Sequence, residues 1–166
     1  MSSGHTISGK ILLIRVGEPI GQLHLKNLQP PVGILSIAGV LDALGYIVTV
    51  ADMILDAPTV DAALELVRRH EPDLVGLSVM TIDAGVFEAL AAALNRAFPD
   101  LPVVVGGPHA TAFPEEAAAT SGVRCAVLGE GEATARELIP ALLAGGDLRG
   151  IAGLALEVDG APLQTP

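Results

Sequence analysis

Residues 73–111 read DLVGLSVMTIDAGVFEALAAALNRAFPDLPVVVGGPHAT, and this stretch decides the fold. It opens on a short, nearly continuous apolar run, Asp73 to Val79, as expected of a strand covered on both faces. Asp83 to Phe98 follows, with Phe87, Leu90, Leu94 and Ala97 spaced as one helical stripe. Pro99 and Asp100 close that helix, and Pro102 to Val105 is again a β-branched run. Strand, helix and strand in succession imply a parallel pair joined by a crossover helix.

The same alternation extends in both directions. Lys10 to Val16 reads as a strand, Val32 to Leu44 as a helix ending at Gly45, and Tyr46 to Val50 as a second strand. Thr59 to His70 is a helix with Val60, Ala63, Leu64 and Val67 on its buried face and Thr59 as N-cap. Downstream, Pro114 suits the first position of a short helix, with Glu115 and Glu116 in its first turn. Cys125 to Leu128 is a fifth strand, and Ala133 to Leu143 a helix stopped by Gly145-Gly146. Ile151 to Gln164 reads as a strand, a turn at Asp159-Gly160 and a short return strand. The pattern predicts a doubly wound α/β fold, a five-stranded parallel sheet with helices on both faces. One connection is long: Gly17 to Pro31, carrying Pro19, Gly21, Pro30 and Pro31. Connections of that length are usually functional or disordered.

Composition narrows the class of function. The chain has 166 residues, 51% apolar and 17% charged, which suits one globular domain. Aromatics are only 2%, so the core must rest on close packing of Ala, Leu, Val and Gly. Nine Lys+Arg stand against 19 Asp+Glu, a formal net charge of −10, and the cations are scattered. No nucleic-acid partner is expected from such a balance. No basic amphipathic helix and no apolar run of about 18 residues occurs, so no membrane partner is expected either. Cys125 stands alone, which excludes an intrachain disulfide, a cysteine-ligated iron–sulfur cluster and a structural zinc site within this chain. Met1 to Lys10 lacks the pattern of a signal peptide, and the expected location is the cytoplasm.

Ligands of open parallel sheets bind beyond the carboxyl ends of the strands. The loops to read are therefore Gly17–Pro31, Asp52-Met53, Ser78–Thr81, Gly106–Thr111 and Gly129–Glu132. The first strand runs into Val16-Gly17-Glu18-Pro19, so the GxGxxG dinucleotide fingerprint is absent, as is any P-loop. A Ser/Thr-rich mononucleotide turn and the acid and lysine set of a phosphoryl receiver are absent too. Gly106-Gly107 removes two side chains at a strand end, Ser78 and Thr81 offer hydroxyls, and Gly129 and Gly131 thin the next loop. Together they suggest a broad, shallow, mostly uncharged bed for a bulky, nearly neutral ligand. Asp52 is read as organising the second loop, and Cys125 as an inert small hydrophobe. Two other readings stand beside this one. Glu130, Glu132 and His109 could serve a small hydrolase or isomerase, or the fold could be a sensory or interaction domain without ligand.

The chain resembles the cobalamin-binding domain that precedes the catalytic barrel in many cobalamin-dependent radical SAM proteins. The resemblance runs from about Pro30 to Gly160, through Pro30–Leu35, Leu44-Gly45-Tyr46 with Asp52, Asp73–Thr81, Gly106–Thr111 and Gly129–Glu132. It implies a flavodoxin-like, Rossmann-like sheet in the order 2-1-3-4-5 with a C-terminal β-hairpin. It further implies a flexible N-terminus over 1–9, a cobalamin-binding domain over 10–150 and a hairpin or linker over 151–166 leading toward a catalytic domain. By position, Ser78, Val79, Met80 and Thr81, then Gly106, Gly107, Pro108 and His109, then Gly129, Glu130, Gly131 and Glu132 would surround the nucleotide tail of the corrinoid. Leu23 and Pro31 of the first long connection would meet the corrin ring over the strand ends.

Two departures qualify the resemblance. The DxHxxG motif that supplies a histidine to cobalt is missing: His24 has Gln22 before it and Asn27 after it, where Asp and Gly would stand. Cobalamin is therefore expected with its tail base off cobalt, no histidine in its place and no metal ligand from the protein. The CxxxCxxC motif of radical SAM enzymes is also missing, so an iron–sulfur cluster and SAM would belong to a separate domain or partner. Alone, this chain is not expected to be catalytic.

Overall fold

A computed structural model describes residues 9–18 and 30–166. The strands are β1 (Lys10–Arg15), β2 (Ile47–Asp52), β3 (Leu74–Ser78), β4 (Val103–Gly106), β5 (Val123–Val127), β6 (Leu154–Val158) and β7 (Ala161–Gln164). The helices are α1 (Val32–Ala43), α2 (Val60–His70), α3 (Ala84–Ala97), α4 (Pro108–Ala112), α5 (Pro114–Ala119) and α6 (Gly131–Leu143), and a 3₁₀ turn spans Thr81–Asp83. The five expected strands pair in parallel in the order β2-β1-β3-β4-β5.

The C-terminal hairpin is part of the same sheet. β6 pairs antiparallel with β5 (Ala126↔Ala155, Val127↔Leu154) and β7 with β6, giving seven strands in one layer. The turn forms where the sequence places it: Asp159 (φ 53) and Gly160 (φ 76) are both left-handed, as a two-residue hairpin requires. β7 returns the chain to the carboxyl end of the parallel strands, where the Thr165 N–H donates to the Leu154 carbonyl at 2.9 Å.

Strand alternation sorts the core into two layers. Leu12, Ile14, Val75, Leu77, Val103 and Val105 face α2, α3, α4 and α5, around the fully buried Phe87. Ile11, Leu13, Leu74, Val104 and Cys125 face the other way, against α1 and α6. Alanine lets the backbones approach: Ala91 and Ala93 of α3 and Ala117 and Ala118 of α5 are buried. Thr59 caps α2 as expected, its hydroxyl accepting from the Ala62 N–H at 3.1 Å. One helix falls where the sequence reads as a loop, and another begins earlier than its cue. α4 occupies the residues read as a loop after Gly107, because Pro108 at its first position presets helical φ. α6 starts at Gly131, two residues before Ala133, since glycines hide helix starts from hydrophobic patterning.

Cys125 is fully buried, and desolvation pushes its thiol up to about 12. The native protein should therefore resist a thiol reagent such as Ellman's at pH 8 and react stoichiometrically once unfolded in guanidinium. Rapid labelling of the native chain would show that β5 opens locally.

Candidate functional site

The site grows from one row of residues. Asp52, Arg15, Ser78 and Gly106 end β2, β1, β3 and β4, and they stand in register side by side. Registered residues of parallel strands share a face, and this row shares the face covered by α1 and α6. Two strand positions on that face carry no side chain. Gly76 lies within β3, and a Cβ there would meet Leu13 Cδ2 at 2.7 Å. Gly106 ends β4, and a Cβ there would meet nothing closer than 3.8 Å. The first glycine lets a neighbour fold over it, and the second leaves open space.

α1 and α6 do not close over this floor. A cleft of about 460 Å³ runs between them, opening at the carboxyl ends of the strands. Leu13, Leu74 and Val104 form its floor, Ile34 and Ile37 of α1 one wall, and Leu138 and Ile139 of α6 the other. The bed expected to be shallow is therefore deep: it reaches the middle of the sheet. It is also mostly apolar, as expected. The two helices meet at their N-terminal ends, where the Ser36 hydroxyl donates to Glu132 Oε1 at 2.5 Å. That bond holds the Glu132 carboxyl below its ordinary range.

The Gly106-Gly107 pair divides its labour. Gly107 has φ +94, and a Cβ on it would stand 3.0 Å from both the N and the O of Val79. Its backbone must pass that close because the Val79 N–H donates to the Gly106 carbonyl and the His109 N–H to the Val79 carbonyl, each at 3.0 Å. Thr111 joins this turn to the next loop, accepting from the Gly129 N–H at 2.9 Å while donating to the Gly107 carbonyl at 3.2 Å.

Of the residues singled out from sequence, Pro31, Ser78, Met80, Gly106, Gly107, Pro108, Gly129, Glu130 and Gly131 all line the cleft. Four others lie elsewhere. Val79 is buried in the opposite layer. Thr81 opens the 3₁₀ turn and is exposed. Glu132 is tied to Ser36. His109 is buried between Phe87 and Phe113, with ring centroids 6.0 and 5.5 Å away, and its Nδ1 has no partner among the described residues. Glu130, Glu132 and His109 therefore do not converge, which removes the geometry a hydrolase or isomerase would need. Leu23 and His24 lie outside the described residues.

The sequence reading missed three features. Gly76 interrupts an otherwise apolar strand, and such a glycine marks a close approach or a ligand. The apolar walls carry no local signal, because Leu138 and Ile34 read simply as helix core. Arg15 lines the cleft and donates from Nη1 to Asp52 Oδ2 at 2.9 Å. Asp52 does organise the second loop: its Oδ1 accepts from the Ile54 N–H, and its own N–H donates to Asp56 Oδ2.

A doubly wound sheet with a deep apolar cleft at its strand ends has the architecture of a ligand-binding α/β domain. The B12 binding domain family matches residues 21–139, and the chain belongs to that family. An uncharacterized methyltransferase of Pyrococcus horikoshii is 31% identical over 135 residues, 79% of this chain and 28% of its own length. The anaerobic magnesium-protoporphyrin IX monomethyl ester cyclase of Synechocystis is 33% identical over 160 residues, 94% of this chain and 32% of its own. The radical S-adenosylmethionine methyltransferase TsrM of Kitasatospora setae, solved with cobalamin and a [4Fe-4S] cluster bound, superposes with a TM-score of 0.81. At 23% identity over 96% of this chain and 29% of that one, it shares the fold. The chain thus spans less than a third of the length of each of these proteins.

The two glycines of the turn should separate on substitution. Gly107→Ala forces a side chain into a left-handed residue against the Val79 backbone and should cost about 1–3 kcal/mol. Gly106→Ala should leave stability within about 0.5 kcal/mol. Urea unfolding of the two variants checks this, and equal losses would contradict the division of labour.

Proposed function

We propose that this chain holds cobalamin for a radical SAM methyltransferase or related enzyme, the nucleotide tail of the cofactor lying in the α1/α6 cleft with its base off cobalt. The observation that carries the reading is the cleft itself. Its apolar walls suit an aromatic base, and its depth keeps that base away from a ring resting on the strand ends. Ser78 at the row of strand ends offers a hydroxyl to the tail, Gly106 leaves it room, and Gly129 and Gly131 border it. Loaded cobalamin would supply a cobalt-borne methyl or electron to chemistry elsewhere.

Two further observations support the reading. Val32 and Met80, which line the cleft beyond the strand ends, are 71% and 49% exposed. Exposed apolar groups collected in one place mark an interaction surface, here for the ring and the domain that faces it. The two described histidines also stand away from the mouth: His109 is buried in the other layer, and His70 ends α2 at the far side of the sheet. The cluster and SAM would come from another domain or a separate protein, because Cys125 is the one cysteine of the chain and lies buried. Residues 10–150 would form the binding domain and 151–166 the connection toward that partner.

The test is direct. Purified protein mixed with hydroxocobalamin and passed through gel filtration should retain colour and show a base-off spectrum after reduction. Gly106→Leu should fold as the parent does and bind at least about tenfold more weakly, since overfilling a packed space costs about 1–3 kcal/mol. A colourless parent would refute cobalamin binding by this chain, and a base-on spectrum would refute the placement of the tail.

A further inference from the structure

We infer that Arg15 is the group that binds the phosphodiester of the nucleotide tail, a specificity determinant for corrinoids that carry the complete nucleotide. The inference rests on the proposed function and adds to it a residue that neither the motifs nor the family match single out.

The starting point is charge. Among the described residues Arg15 is the one cation on the cleft wall, in a chain of net charge −10. The tail of cobalamin bears one formal charge, the phosphodiester anion, between the corrin ring and the base. Drawing that anion toward an apolar cleft without a partner would be costly. Arg15 stands at the strand ends, on the wall of the cleft and above its apolar floor.

Geometry supports the same assignment. Arg15 is flanked in the row by Asp52 on β2 and Ser78 on β3, with strands about 4.8 Å apart. Its side chain is only 25% exposed, and Asp52, 8% exposed, fixes it from one side at 2.9 Å. A guanidinium has five N–H donors in a rigid fork. One of them meets Asp52, and no other described residue accepts from the remaining four. The rest of the fork and the Ser78 hydroxyl belong to adjacent strand ends that line one cleft, in the row that ends at the open space over Gly106. Two donors on one side of an opening suit the two non-bridging oxygens of a phosphodiester. Asp52 keeps the arginine from swinging to solvent, and Asp83, whose carboxyl burial pushes up, lies within the field of the same cation.

The test compares two corrinoids, hydroxocobalamin and cobinamide, which lacks the nucleotide and its phosphodiester. Arg15→Gln should weaken hydroxocobalamin about tenfold to a hundredfold, the range of a charge-assisted hydrogen bond, and leave cobinamide within about twofold of wild type. Wild-type affinity of Arg15→Gln for hydroxocobalamin, or an equal loss for both corrinoids, would overturn the assignment. Arg15→Lys keeps the ion pair with Asp52 and guards against misfolding. With it, the phosphorus NMR signal of bound cobalamin should shift from its wild-type position, and an unmoved signal would overturn the assignment. Failure of the wild-type chain to bind either corrinoid would instead refute the proposed function, and the role of Arg15 with it.

Discussion

A parallel sheet must be covered on both faces, yet here one face is left partly uncovered along β3 and β4. Everything else in the molecule follows from that gap. On the opposite face, Phe87, Leu90 and Leu94 of α3 and the small residues of α5 fill the space completely. On the gapped face, Gly76 and Gly106 withhold the side chains that would meet α1 and α6. The helices instead touch at Ser36–Glu132 and near Gly131, where a Cβ would stand 3.2 Å from Ile37. Interiors are normally packed to crystal-like density, so an apolar space of this size leaves its lining short of contacts. A ligand that fills it recovers both the dispersion contacts and the burial of Leu13, Val104 and Leu138 that the protein leaves incomplete.

The polar groups of the cleft are few and concentrated at one level. Arg15 and Ser78 line the cleft side by side at the strand ends, with Asp52 behind Arg15 in the same row and the apolar floor of Leu13, Leu74 and Val104 below them. The turn chemistry serves the row: the Ile54 N–H and the Asp56 carboxylate hold Asp52, and Thr111 holds the glycine loops to one another. The site is thus built on strand ends and their caps, and its walls belong to two helices joined by the exposed Ser36–Glu132 hydrogen bond.

Much of this was legible in the residues. The alternation of apolar runs foretold the parallel strands in their correct order of appearance, and Asp159-Gly160 foretold the hairpin turn. The glycines at 106, 129 and 131 and the hydroxyl of Ser78 marked the cleft because they are the wrong residues for filling a core. His109 misled for a physical reason. It adjoins the turn in sequence, but one helical residue beyond Pro108 points to the opposite layer, against Phe87. Val79 misled by strand alternation, since it faces away from Ser78. The attachment of the hairpin to β5 was not legible, because an edge strand's partner is set by which edge is free.

Local chemistry, then, is what the sequence by itself determined: where strands and helices lie, where the backbone must turn, and which loops lack side chains. Depth and convergence were decided by tertiary structure alone. Whether α1 and α6 close over the sheet depends on distances between helices far apart in sequence, and no residue encodes that gap by its type. Arg15 reads as an ordinary strand-end cation until register sets it between Asp52 and Ser78, residues 37 and 63 positions away. Register is a property of paired strands, so a site made across a row of them exists only once the sheet has formed.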